Sequence, residues 1–340
     1  MKRSIYAMLS SFFLLAAPLA AQESLEFPEI ESLEELQNRI EVVASGIEGD
    51  VGVYVLHVES GESVGINEDE QYQIASVFKI PVLVTLFRLI DEGYYSLEDR
   101  IVLTEAMKTY GSGLLPAMRP GLNLSLNDLQ LLMMAVSDNT ATDILFDVVG
   151  AERIDAYMRE LGLERTVIDL NTNQLILGYL GLDMNERLTI PQLWRIPAEY
   201  WASEERRERM ARWDAEVHNM STPREIGILL EKLVKGEIVD RETSDSIINT
   251  LRHHTGARLI TRYLPFGTTV ARKGGSLGRD WRQTVLCDSG IIFLPNGAGH
   301  VVVCVFANDL RSEWYEFEIA VGRISRMAYD YFADTYRQDE

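Results

Sequence analysis

Cysteine is nearly absent from this 340-residue chain, which has only Cys287 and Cys304. Two cysteines exclude a multi-disulfide framework and a cysteine-ligated cluster. Histidine is scarce as well, at five residues; His253 and His254 adjoin, but no third ligand lies at a recognisable spacing. Both read as structural, and neither a metal nor any other cofactor is expected. Basic residues are few against acidic ones, 32 Lys and Arg to 52 Asp and Glu, for a formal net charge of -20. That balance argues against nucleic acid or an anionic membrane as partner. Long uncharged apolar runs are missing beyond the first twenty or so residues, so no membrane-spanning helix is expected in the body of the chain.

What is present begins with "MKRSIYAMLSSFFLLAAPLAAQ". Lys2 and Arg3 precede an apolar run from about Ile5 to Leu19, then small residues at Ala20 and Ala21. A stretch too short to span a bilayer, with basic residues before it and small ones after, predicts a secretory signal peptide over 1–21. A soluble monomer exported to the periplasm or the medium, with no stable membrane anchor, is the expectation.

An acidic linker, Gln22 to Glu31, follows. Ser32 and Glu35 then form a capping box ahead of Leu33, Leu36, Ile40 and Val43, the spacing of an amphipathic helix. "VGVYVLHV" and "ESVGIN" around the turn "ESGE" read as a hairpin. From Ser76 to about Thr250 the pattern is helical, and strand signals return only in "TTVARK", "TVLCDSGIIFL" and "HVVVCVFA", before a closing helix from about Ser312 to Tyr336. The architecture predicted is α+β: an antiparallel sheet of about five strands flanked by the terminal helices, with an all-α lobe inserted. The α/β lobe is assigned to 32–75 and 255–340 and the helical lobe to 76–254. If the turn "LPNGAG" centres near Gly297, Cys304 faces Gly290 and Cys287 lies on the other sheet face, so both thiols are expected free.

Three short motifs carry chemistry. Ser76 and Lys79, in "IASVFKIPVL", share a helix face at i and i+3, and a lysine desolvated among apolar neighbours can take a serine proton. Alone this is weak, since about one Ser-x-x-Lys is expected by chance in a chain this long. In "VSDNTATD", Ser137, Asp138 and Asn139 lie between two apolar helices, where such residues are ordinary caps; the functional alternative gives Ser137 a proton relay and Asn139 an amide for the substrate. In "ARKGGSLG", Lys273 precedes Gly274 and Gly275, either as a plain glycine turn or as a strand edge that seats substrate beside a cation.

Taken together, in this order and context, the three motifs resemble those of the serine β-lactamase and penicillin-binding protein superfamily, and class A β-lactamases in particular. "GVYVLHVESGE", "YGSGLL", "SDNTATDIL", "TPREIGILLEKLVKGE" and "SGIIFLPNG" are similar to family segments in the family's order. The resemblance implies an α/β lobe and an all-α lobe with the site between them. It makes Ser76 the acylated nucleophile, Lys79 and Ser137 proton carriers, and Lys273 a holder of the substrate carboxylate. The backbone N–H groups of Ser76 and Ser276 would form the oxyanion hole, worth on the order of 3 kcal/mol per donor. Asn139, Gly275 and Ser276 would line the substrate, and Tyr110 resembles the aromatic gate at the cleft mouth. A β-lactam or a peptidoglycan-like acyl group is the partner implied.

The chain departs from that family in three places. Thr172 stands where the family's Ω-loop glutamate would activate the deacylating water. Gly274 replaces a hydroxyl residue that binds the substrate carboxylate, and Ser289 stands for an assisting arginine, leaving Ser276, Ser289 or Arg282 to compensate. An insertion around 177–220 contains "IPAEYWASEERRERMARWDAEVHN", read as a solvated helix with a lid as the alternative; Asp183 and Glu186 precede it as possible replacement bases. Three readings follow: a slow β-lactam hydrolase, an acyl-trapping sensor module, or a D,D-peptidase or esterase.

Overall fold

A computed structural model describes residues 27–279 and 282–337, apart from the side chains of Ile190, Arg279, Arg282 and Gln283. The segment read as a signal peptide lies outside them. In chain order come α1 (Leu33–Ser45), β1 (Asp50–His57), β2 (Ser63–Ile66), α2 (Lys79–Asp91), α3 (Leu126–Ala135), α4 (Asn139–Val149), α5 (Ala151–Glu160), α6 (Thr172–Tyr179), α7 (Glu204–Asp214), α8 (Pro223–Lys235), α9 (Arg241–Leu251), β3 (Val270–Arg279), β4 (Arg282–Phe293), β5 (His300–Asn308) and α10 (Trp314–Thr335). These five strands form one antiparallel sheet in the order β2-β1-β5-β4-β3, as expected of a sheet built from both chain ends, and two small two-stranded pairings lie apart from it. Strand β1 is buried from Val51 to His57 and β5 from Val301 to Ala307, so each is covered on both faces, which is why both read as nearly unbroken apolar runs.

One sheet face packs on α1 and α10 through Leu36, Ile40, Phe317, Val321 and Phe332. Phe27 and Ile30 join this layer, with Phe27 against Tyr263 at 5.9 Å and under the Arg326 guanidinium. Part of the expected linker is therefore packed against the domain. The capping box at α1 is half formed: Ser32 accepts from the Glu35 amide, but Glu35 turns to the amide of Glu31.

The other face packs on α8, α9 and the Ala75–Phe78 turn, with α2, α3 and α4 in the same core behind them. Helix α2 is sunk in this layer, with Ile80, Val82, Leu83, Val84 and Leu86 wholly buried, each contributing about 1.5–3 kcal/mol. Lys79 opens that helix with no exposed surface, a costly place for an ammonium unless acceptors meet it.

Both cysteines are free, but the expectation about their faces is corrected. Phe293 pairs with His300, which sets Cys304 opposite Ser289 and not Gly290. In a period of two, that one-residue slip moves the thiol to the other face, so Cys287 and Cys304 share one.

Candidate active site

Ser76 lies in a 3-10 turn, Ala75–Phe78, that leads into α2. It is half-buried while Ala75, Val77, Phe78 and Lys79 around it are buried. Ala75 has φ +42°, a left-handed conformation costing on the order of 1–3 kcal/mol, held where its amide donates to Gln73 Oε1 at 3.1 Å. The turn thus presents one side chain, the serine hydroxyl, to the open side.

Lys79 does not reach that hydroxyl. Its Nζ donates to Ser137 O at 2.7 Å, Asn139 Oδ1 at 2.9 Å and Ser137 Oγ at 3.0 Å. An ammonium has three protons, and the 137–139 segment supplies three acceptors, so the expected direct pair is replaced by a bridge to the next helix. Burial pulls the Lys79 ammonium down to about 7, against the opposing pull of the Asp143 and Asp138 carboxylates.

Ser137 sits at φ +55° just before α4, whose N-cap is Asp138. Asp138 is buried and holds the turn, accepting from the amides of Ala141, Leu114 and Leu115. The cap and the relay readings of this motif therefore fall on different residues, Asp138 and Ser137. Ser137 Oγ also accepts from Lys273 Nζ at 3.0 Å. Two lysines thus converge on one hydroxyl and fill its lone pairs, leaving its proton free to be donated. Lys273 is wholly buried, and burial, then the nearby Lys79 charge, holds its ammonium well below the ordinary lysine value.

Strand β3 is the sheet edge, and it lies against the Ser76 turn because Gly275 has no side chain: a Cβ there would sit 2.5 Å from Ser76 N. The Gly274 amide points outward, to His254 Nε2 at 3.4 Å. By strand alternation the Ser276 amide also points away from β4.

The remaining candidates are placed as follows. Asn139 donates to Tyr110 O and accepts from Lys79 and Ser112, so its amide is engaged within the protein. Tyr110 is 38% exposed at the rim. Ser289 is wholly buried and faces Lys273 across the ladder, so it presents no group to a substrate. The Arg282 side chain lies outside the described residues. Asp183 bonds Asn185 and pairs with Arg209, and Glu186 is exposed, so neither carboxylate joins Ser76, Lys79 or Ser137. His253 and His254 bond backbone carbonyls of Asn249 and Met134. Among the described residues no cluster of three metal-ligating side chains occurs, and no helix is long and apolar enough to cross a membrane.

Asp143 escaped the sequence reading. It is wholly buried, accepts from Thr109 Oγ1 at 2.7 Å and from the amides of Thr172 and Asn173 at 2.6 and 3.1 Å, and so caps α6 from the side. Burial pushes its carboxyl up. The signal was there: Asn139 and Asp143, at i and i+4, share the helix face that looks at Lys79. Thr172 opens α6 with its Oγ1 buried and unpartnered.

The solvated-helix reading of the insertion holds for most of α7, with one buried face as the exception. Helix α7 carries surface pairs such as Arg207 with Glu204, but Arg206 and Trp213, two turns apart, are buried against α6. Arg206 donates to the carbonyls of Leu180 and Trp201. Trp213 fills the space over Gly178, where a Cβ would lie 2.2 Å from its ring. His218 stacks on Trp213 and bonds Asp169 at 2.6 Å and Glu216 at 2.9 Å; burial lowers its affinity for a proton, but the two carboxylates outweigh burial and raise its pKa.

A sheet flanked by terminal helices, an inserted helical layer, and a serine and two lysines at their junction define a serine-hydrolase fold of the penicillin-recognising kind. The chain belongs to the β-lactamase enzyme family, whose family model matches residues 35–332. It is 25% identical over 339 residues to a β-lactamase of Bacteroides uniformis, covering 97% of this chain and 99% of that one. Among solved structures it is similar to a β-lactamase from Sphaerobacter thermophilus (28% identity, TM-score 0.68, 86% and 95% covered). It also shares the fold of a mutant of PBP-A solved as an acyl-enzyme complex with penicillin G (24%, TM-score 0.70, 91% and 100% covered).

Proposed function

We propose that this protein is an exported active-site serine hydrolase that β-lactams acylate on Ser76 and that releases the acyl group slowly. The observation that carries the reading is the meeting of Lys79 and Lys273 on Ser137 Oγ, with Lys79 one turn on from Ser76, whose hydroxyl has no partner among the described residues. In the acylation step the Ser76 oxygen attacks the lactam carbonyl and its proton passes to neutral Lys79, which has only two protons for its three acceptors and so leaves one of them to turn its lone pair to Ser76. The carbonyl oxygen gains negative charge between the amides of Ser76 and Ser276. Ser137 then gives its proton to the departing ring nitrogen and recovers one from Lys79, so that the C–N bond breaks, the ester remains, and Lys79 is neutral again. Hydrolysis of the ester needs a base for water. Thr172 is no base, which favours a persistent acyl-enzyme.

Incubation with benzylpenicillin followed by intact-mass measurement tests this. A single adduct that builds up in the wild type and is missing in Ser76→Ala is the expected result; an adduct that survives the substitution overturns it. A second reading, a peptidase or esterase, is favoured by Gly274 and the buried Ser289, neither of which offers a hydroxyl to a substrate carboxylate, leaving the exposed Ser276 alone of the hydroxyls named. Ester cleavage with no penicillin adduct in the same experiment would select it.

The protonation of Lys79 gives a pH prediction. The amine is a base only when neutral, so acylation should rise as pH passes upward through about 7. Stopped-flow acylation from pH 5 to 9 should show that limb, and Lys79→Arg should abolish it, because a guanidinium keeps its proton throughout.

A further inference from the structure

Beside the outer edge of β3 lies a cavity of about 420 Å³ lined by Arg252, His254, Arg258, Thr261, Thr269 and Arg272, with no carboxylate in its lining. In a chain with 52 acidic residues and a charge of -20, three arginines about one acid-free cleft stand against the overall field. Arg272 forms the inner end and is already committed: it donates to Asp288 Oδ2 at 2.8 Å and to the carbonyls of Gly256 and Ala257. Asp288 is wholly buried beneath it, so the neutralising acid is spent inside the sheet and faces no ligand. The outer pair is not committed. Arg252 makes one bond, to the neutral Asn249 Oδ1 at 3.3 Å, and Arg258 makes none; both are exposed and neither has an acidic partner among the described residues.

A guanidinium presents parallel donors that match carboxylate and phosphate oxygens, and an acid-free cleft gives it no internal competitor. The volume lies within the range of about 300–1,000 Å³ typical of small-molecule sites, more than a single small ion needs. The threonine hydroxyls of Thr261 and Thr269 add neutral donors along the wall. We propose that this cleft binds a small molecule carrying two oxyanion groups, one for each free arginine, at a site apart from Ser76. The inner wall touches the catalytic edge, since His254 takes the Gly274 amide one residue from Lys273. A ligand there would lie alongside the strand on which an acyl substrate docks.

The test is calorimetric titration of the full protein at low ionic strength with inorganic pyrophosphate in one arm and glutarate in the other, which separates a diphosphate from a dicarboxylate. One saturable site is expected for at least one probe. It should weaken at least tenfold in Arg252→Ala/Arg258→Ala and weaken with added salt, while Ser76→Ala leaves it unchanged. The double variant removes two exposed side chains, and penicillin acylation at its wild-type rate would verify that it is folded. No saturable binding of either probe at millimolar concentration, or binding that survives the double substitution, overturns the proposal. Because Ser76→Ala retains the cleft, failure here is distinct from failure of the acylation reading.

Discussion

Thr172→Glu, combined with Asp143→Asn, is expected to turn a long-lived acyl-enzyme into a turnover catalyst, with deacylation faster by about 10²- to 10⁴-fold, the usual worth of a positioned general base. Thr172 is the first residue of α6, its side chain faces inward with an unpartnered hydroxyl, and a carboxylate at a helix N-terminus is favoured by the macrodipole. The second substitution is needed because Asp143 already bonds the Thr172 amide; two carboxylates at one buried spot would raise each other's pKa and keep the new acid protonated. Asp143→Asn removes the charge and keeps one acceptor oxygen, which can serve the Thr109 hydroxyl and the Asn173 amide while the bond to the Thr172 amide is lost. Pulse acylation with penicillin, followed by intact mass against time, measures the release rate. A double variant that folds, acylates and still holds its adduct as long as the wild type would show that the missing base is not what limits release.

Gly275→Ala should lower the acylation rate by about 10²- to 10³-fold, the effect of losing one oxyanion-hole donor. The new Cβ would lie 2.5 Å from Ser76 N and 3.1 Å from both Ala75 Cβ and Ile74 O. Two of these neighbours are backbone and cannot turn aside. Either β3 or the strained Ala75 turn must move, at an overpacking cost of about 1–3 kcal/mol, and the two amides then no longer aim at one point. Stopped-flow acylation and a denaturant midpoint measured together separate the loss of the hole from loss of fold. Unchanged acylation would mean that Ser76 and Ser276 do not act as the pair described.

Much of this was legible in sequence, for reasons that differ by region. The sheet could be read because "VGVYVLHV" and "HVVVCVFA" are buried on both faces, and the turn residues between strands mark their ends. The cysteines show the limit: a turn placed one residue off left the pairing nearly right and reversed the face. Ser76, Lys79, Ser137 and Lys273 could be chosen from their types and order, but not the direction of the Lys79 amine, which follows from where three acceptors lie across the α3–α4 break. Asp143 looked like one more polar residue in a helix, because its partners Thr109, Thr172 and Asn173 come from a loop and from the start of α6, both distant in sequence. In the insertion, the many Glu and Arg residues masked the buried pair, Arg206 and Trp213.

On the proposed reading, that pair bears on which acyl groups the site would admit. With Trp213 lodged over Gly178 and Arg206 bonded to Leu180, the wall that starts at Thr172 is braced from behind. To widen for a bulky side chain it would have to carry a helix thirty residues further along the chain with it. On the proposed acylation reading, the breadth of acyl groups tolerated would thus be governed by a segment packed behind α6.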